Sequence, residues 1–158
     1  YVEELLKKEK IEVVMTREKD EMLSEDSGER TKIGDMKMRV EQINKEKPLL
    51  TVSIHQNSYH EESIHGAQVF YYKTSKESED LAKILQKELV RVAEPANHRQ
   101  AKANDTYYLL KKTEAPTVIV ECGFLSNWEE CAKLRNEDYQ AKLVWAIQMG
   151  ILKYLNKK

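Results

Sequence analysis

Two segments carry side chains that could do chemistry at the end of an apolar run. The first is Thr51-Val52-Ser53-Ile54-His55-Gln56-Asn57-Ser58, which delivers an imidazole and an amide to the end of a β-branched stretch. A neutral imidazole on a rigid strand end suits Zn²⁺, which takes nitrogen donors at short, fixed distance. The plainer reading of a single histidine is a core or loop residue satisfied by backbone groups. The second segment is Thr117-Val118-Ile119-Val120-Glu121-Cys122-Gly123-Phe124-Leu125-Ser126-Asn127. Burying a carboxylate at the end of such a run is costly unless it serves a purpose. Low-dielectric surroundings raise its pKa toward the range useful for proton transfer. The alternative is a salt-bridged or helix-capping glutamate at the sheet edge, because structural ion pairs also occupy such places.

The remaining candidates are weaker. His60 and His65 flank a polar loop close to His55, and loop histidines are ordinarily solvated. His98 precedes Arg99 in a basic segment, where solvent exposure is the default. Cys122 beside Glu121 invites a nucleophile reading, but its apolar neighbours make it a small packing residue. Only one other cysteine occurs, Cys131, and no paired Cys/His spacing is present, so a disulfide-stapled scaffold is excluded.

The elements that must position these groups follow from periodicity. Tyr1 to Lys10 reads as the closing turns of a helix, with Val2, Leu5 and Leu6 on one face. Ile11 to Met15 is a short apolar run bounded by charge and reads as a buried strand. A polar loop, Thr16 to Gly28, precedes a helix over Glu29 to Lys47 with Ile33, Met36, Val40 and Ile43 at helical spacing. Pro48 stops it. Leu49 to Ile54 reads as a central strand ending at His55, and Ala67 to Tyr72 alternates like another. A helix is predicted over Ser75 to Ala93, capped by Thr74 or Ser75. Pro95 to Asp105 reads as irregular. Thr106 to Leu110 and Thr117 to Cys122 read as strands. Asn136 to Leu155 closes the chain as an amphipathic helix with Leu143, Ala146, Ile147, Gly150, Ile151 and Tyr154 inward. This order predicts an α/β fold with a mixed, mostly buried sheet.

The bulk numbers bound the class. A chain of 158 residues fits one domain with one core. Lys plus Arg number 26 against 27 for Asp plus Glu, a balance that leaves no footprint for nucleic acid or an acidic membrane. No run of apolar residues is long enough to span a bilayer as a helix, and no signal peptide is visible.

Taken together, the V-S-I-H-x-N-S string and the later V-E-C-G-F-L-S-N string resemble the zinc-dependent N-acetylmuramoyl-L-alanine amidase family. The resemblance runs along nearly the whole chain. It takes in Val14-Met15-Thr16-Arg17, Arg39 with Asn44, Gly66-Ala67, Arg99 with Lys102 before Tyr107-Tyr108-Leu109-Leu110, and Glu137-Asp138-Tyr139. Gly28-Glu29-Arg30-Thr31-Lys32 and the helix after it look most like the spore-germination members, which act on cortex peptidoglycan.

The resemblance implies a mostly parallel, mixed sheet with helices on both faces, the amidase sandwich that is also phosphorylase/hydrolase-like. It implies metal-assisted hydrolysis of the amide between N-acetylmuramic acid and L-alanine. His55 matches one zinc ligand of the family and Glu121 its general base and acid. Asn57, Arg99 and Lys102 are substrate-binding candidates, the two cations for a carboxylate on the peptide stem. Peptidoglycan is then the substrate, the site of action is extracytoplasmic, secreted or spore-envelope associated, and an accessory protein could complete or activate the site. The family's other ligands are a histidine in a D-x-G-H-G loop and a glutamate on the first helix. Neither is in this sequence, so residues 1–158 read as a single catalytic domain lacking its first strand and the start of its first helix. One histidine cannot make a three-ligand catalytic zinc site. The rival expectation is therefore an amidase-fold binding or interaction domain. A carboxypeptidase-like zinc hydrolase is a third reading, and the G-F-L-S-N string argues against it.

Overall fold

In the computed structural model, residues 1–19, 23 and 32–157 are described. The elements in chain order are α1 (Val2–Lys8), α2 (Lys32–Glu46), β1 (Thr51–Asn57), β2 (Gln68–Tyr72), α3 (Lys76–Val92), β3 (Lys102–Asn104), α4 (Tyr108–Lys112), β4 (Thr117–Phe124), α5 (Trp128–Leu134) and α6 (Glu137–Leu155). The charged segment 28–32 and the predicted start of α2 lie outside the described residues, except for Lys32.

The four strands form one sheet in the order β1-β4-β2-β3. β1 runs parallel to β4 and β2 parallel to β3, while β2 and β4 are antiparallel. The sheet is therefore mixed and mostly parallel, as expected. Period-two alternation splits β4 between two layers. Val118, Val120 and Cys122 join a core with Leu81, Leu85 and Leu89 of α3, Leu143, Ile147 and Ile151 of α6, and Leu6 of α1. Ile119 faces the other way and packs with Phe70, with Val40 and Ile43 of α2, and with Leu109 and Leu110 of α4. Helices thus cover both faces.

The helix ends follow local chemistry. Ser75 caps α3 by accepting from Ser78 N, and Asn136 caps α6 by accepting from Tyr139 N. All six inward positions predicted for α6 are buried. Gly150 lets α6 approach α3 closely, since a Cβ there would stand 2.5 Å from Leu85 Cδ2 and 3.2 Å from its Cα. Gly150→Ala is expected to destabilise the protein by about 1–3 kcal/mol through overpacking. Urea denaturation would read this as a lower midpoint at unchanged slope.

Five expectations are corrected. Ile11 to Met15 forms no strand, because it makes no ladder with any described strand; Ile11 and Val13 pack against the larger core all the same. Thr106 to Leu110 is not a strand either. Asn104 Oδ1 accepts from the N–H groups of Thr106 and Tyr107, turning the chain into helix α4, which buries Leu109 and Leu110. The segment read as irregular holds β3. β1 lies at the edge of the described sheet rather than at its centre, and it continues through His55 to Asn57. Ile33, assigned to the inner face of α2, is 70% exposed.

Candidate active site

Register brings the two candidate chemical groups together. His55 of β1 is the parallel partner of Glu121 of β4. Neighbouring strands lie about 4.8 Å apart, and laterally paired residues point to the same face. That face is the one covered by α2 and α4, beyond the last residues of their packing cluster. Gln68 of β2 is the antiparallel partner of Glu121 on its other side, so His55, Glu121 and Gln68 form a row across three strands.

Glu121 is 8% exposed, and its Oε2 is a buried oxygen with no hydrogen-bond partner among the described residues. Burial raises its pKa above the ordinary carboxylate value. A carboxylate held without a partner and made more basic is suited to taking a proton from a small molecule that reaches it. His55 shifts the opposite way. Burial, and then the nearby Arg39 and Arg17 cations, lower its pKa, which favours the neutral ring. Its Nε2 lies 2.8 Å from Ser53 Oγ. Arg39 is held by Asp35, with Nε to Oδ2 at 2.7 Å, and reaches Thr16 Oγ1 at 3.4 Å.

Just past Glu121 the ladder slips. His55 pairs with Glu121 but Asn57 pairs with Phe124, so β4 carries one extra residue over this stretch. Gly123 sits in the slip with φ +153. The bulge places Phe124 on the same face as Glu121, where the Arg99 guanidinium carbon lies 4.9 Å over its ring. Arg99 is otherwise held by Nε to His65 O at 2.6 Å and Nη1 to Gln68 Oε1 at 2.9 Å.

The other expected substrate contacts are placed differently. Asn57 is half-buried; its carbonyl accepts from Leu125 N at 2.8 Å and its side-chain oxygen from Ser58 N at 2.8 Å. It shapes the strand end beside the site. Lys102 is exposed on β3, level with Phe70 and two strands from β4, roughly 10 Å across the sheet from the row of Glu121. His60, His65 and His98 are exposed, and His60 stands 3.7 Å from Glu61. Both cysteines are free, and burial pushes the Cys122 thiol up to about 12, which suits a packing residue and not a nucleophile.

Sequence reasoning passed over one residue of the site and one that lies behind it. Gln68 follows from the register, which sequence does not display. Glu130 was signalled by Asn127 three positions earlier, a helix-start pattern that also marks α5, an element the periodicity did not show.

The described residues hold no cluster of three or more His, Cys, Asp or Glu side chains placed to bind a metal. His55 is a single donor, and a three-ligand zinc site does not fit the described residues by themselves.

The germination-specific N-acetylmuramoyl-L-alanine amidase of Bacillus subtilis (strain 168) is 38% identical over 149 residues, covering 92% of this chain. The chain spans 62% of that relative's length. The CwlD amidase of Clostridioides difficile, solved in complex with the GerS lipoprotein, superposes with a TM-score of 0.94 at 40% identity, over 99% of this chain and 82% of that one. The catalytic domain of CwlV, an N-acetylmuramoyl-L-alanine amidase from Bacillus (Paenibacillus) polymyxa var. colistinus, gives 0.80 at 30% identity, over 99% and 80%. The profile of the N-acetylmuramoyl-L-alanine amidases matches residues 1–153, and the chain belongs to that family.

Proposed function

We propose that the protein hydrolyses the amide bond between N-acetylmuramic acid and the L-alanine of the stem peptide in peptidoglycan, in spore cortex maturation or germination. The observation that carries this reading is the unpartnered, basic Glu121 carboxylate in register with His55. Glu121 takes the proton of the attacking water and returns a proton to the leaving L-alanine nitrogen, serving first as base and then as acid. Asn57, Arg99 and Lys102 contact substrate, with Arg99 the best held of the three. The 38% identity to a germination-specific amidase supports the cortex assignment. The site of action is extracytoplasmic, since peptidoglycan is its substrate. The C. difficile CwlD structure contains a lipoprotein, which supports a partner protein here as well.

Zinc is the proposed cofactor of the full-length protein, with His55 as one ligand and the others supplied from outside the described residues. His55→Ala in the full-length protein is expected to lower the zinc content found by elemental analysis. Alanine at His60 or His65 is expected to leave it unchanged. If either of those two proves necessary for zinc instead, the assignment of this loop is wrong.

A second reading, an amidase-fold domain that binds or interacts without catalysis, is favoured by the incomplete metal-ligand set among the described residues. Turnover of a muramoyl-peptide by the full-length, zinc-loaded protein decides between them.

A further inference from the structure

Glu130 takes no part in the chemistry above, yet it is 3% exposed, and charged groups are rarely buried so deeply unless they are paired. It is the third residue of α5, from which a glutamate ordinarily reaches back to the N–H of the capping residue. Asn127 completes its half of that pattern by accepting from Glu130 N at 3.0 Å. The carboxylate turns elsewhere. Oε1 accepts from Gly66 N and Oε2 from Phe124 N, both at 2.8 Å.

Those two amides belong to the two walls that hold Arg99. Gly66 follows His65, whose carbonyl accepts from Arg99 Nε, and Phe124 supplies the ring beneath the guanidinium. The same corner is braced from below. Glu94 Oε2 accepts from Ala67 N at 2.8 Å and from Asn97 Nδ2 at 3.0 Å. Asn97 in turn donates to Ala67 O and accepts from Arg99 N. Gly66 has φ +98, and a Cβ there would lie 2.8 Å from Asn97 Oδ1, so the turn is closed to side chains. Burial raises the pKa of Glu130, the amides of Phe124 and Gly66 oppose that rise, and Glu94 adds to it. The Tyr139 phenol of α6, facing the same pair, is pushed up by burial and by Glu94.

We propose that Glu130 is a positioning residue: by clamping the amides of Gly66 and Phe124 it fixes the carbonyl and the ring that aim Arg99 at a carboxylate of the substrate's peptide. This rests on the amidase reading and extends it to how the peptide is recognised. Glu130→Gln keeps the volume but turns an NH₂ donor toward one of the two N–H donors, so one clamp is lost. The assay uses the full-length, zinc-loaded protein on two muropeptides, one with a free stem-peptide carboxylate and one with that group amidated. For the free carboxylate, KM is expected to rise about tenfold, the scale of one hydrogen bond to a charged group. On the amidated substrate it should hardly move, and kcat should stay within about threefold on both. In an Arg99→Ala background, Glu130→Gln should add almost nothing to KM.

A purely structural role predicts a smaller active fraction, hence lower kcat at unchanged KM. That result, or an equal KM rise with and without Arg99, overturns the proposal. If Glu130→Gln yields no folded protein, Asn97→Ser is held to the same KM and Arg99-background criteria. If the parental protein shows no turnover, the amidase reading falls by itself. Calorimetric binding of the same two muropeptides to parent and variant then applies the tenfold criterion to Glu130.

Discussion

Glu121→Gln in the full-length protein should retain the fold and the zinc while amidase turnover falls by about 10²–10⁴-fold, the usual scale for losing a general acid–base group. The amide occupies the same volume, so the buried end of β4 keeps its packing. What disappears is the ability to accept and return a proton at Oε2, the oxygen without a partner. The pH profile should change with it. A carboxyl pKa raised by burial keeps the protonated, inactive form present to higher pH than an ordinary glutamate would. Parental activity should therefore fall as pH drops through that raised value, and the acid limb should be missing from the residual activity of the variant. Near-parental turnover of muropeptides by Glu121→Gln would remove this residue from the mechanism.

The second large effect concerns residues 1–158 as an isolated polypeptide. It is expected to show no amidase activity, even with added zinc. Among the described residues a single imidazole faces Glu121, and one protein ligand leaves a zinc ion mostly hydrated, its water too weakly acidic at neutral pH. The isolated polypeptide should also associate more readily. β1 is an edge strand of the described sheet, and Leu49 just before it and Ile54 within it are exposed, which is a template for pairing with another chain. Titration calorimetry with zinc, turnover of a muramoyl-peptide and light scattering would test both parts. Tight stoichiometric zinc binding with hydrolysis would show that other residues of this chain complete the site.

Much of this was legible in sequence, for physical reasons that differ by element. α3 and α6 declare themselves through caps and a 3.6-residue stripe, and β4 through an unbroken β-branched run. His55 and Glu121 stood out because each ends such a run. Their adjacency did not, since register is a long-range property that neither strand specifies alone. The α4 segment misled because Tyr107 to Leu110 is apolar and aromatic, with strand-like preference. The deciding feature was the Asn104 side chain, which takes the next backbone amides and leaves helix as the continuation. Ile11 to Met15 has strand composition without a strand, because a ladder needs a partner and composition does not supply one. The Arg99 seat was invisible for a similar reason: its walls come from residues 65, 68, 97 and 124, brought together only by the sheet.

The extra residue in β4 gives that strand a phase. Before Gly123, Thr117, Ile119 and Glu121 face the layer of α2; after it, the even-numbered Phe124 does. Adding one residue between Glu121 and Phe124 would shift the phase of the strand and swing the ring into the opposite layer, toward Cys122 and Leu134, leaving Arg99 without its floor. Substitutions here trade one side chain for another, but a change in count rewrites which layer each later residue serves. Over evolutionary time, such a stretch can drift in composition far more freely than in length.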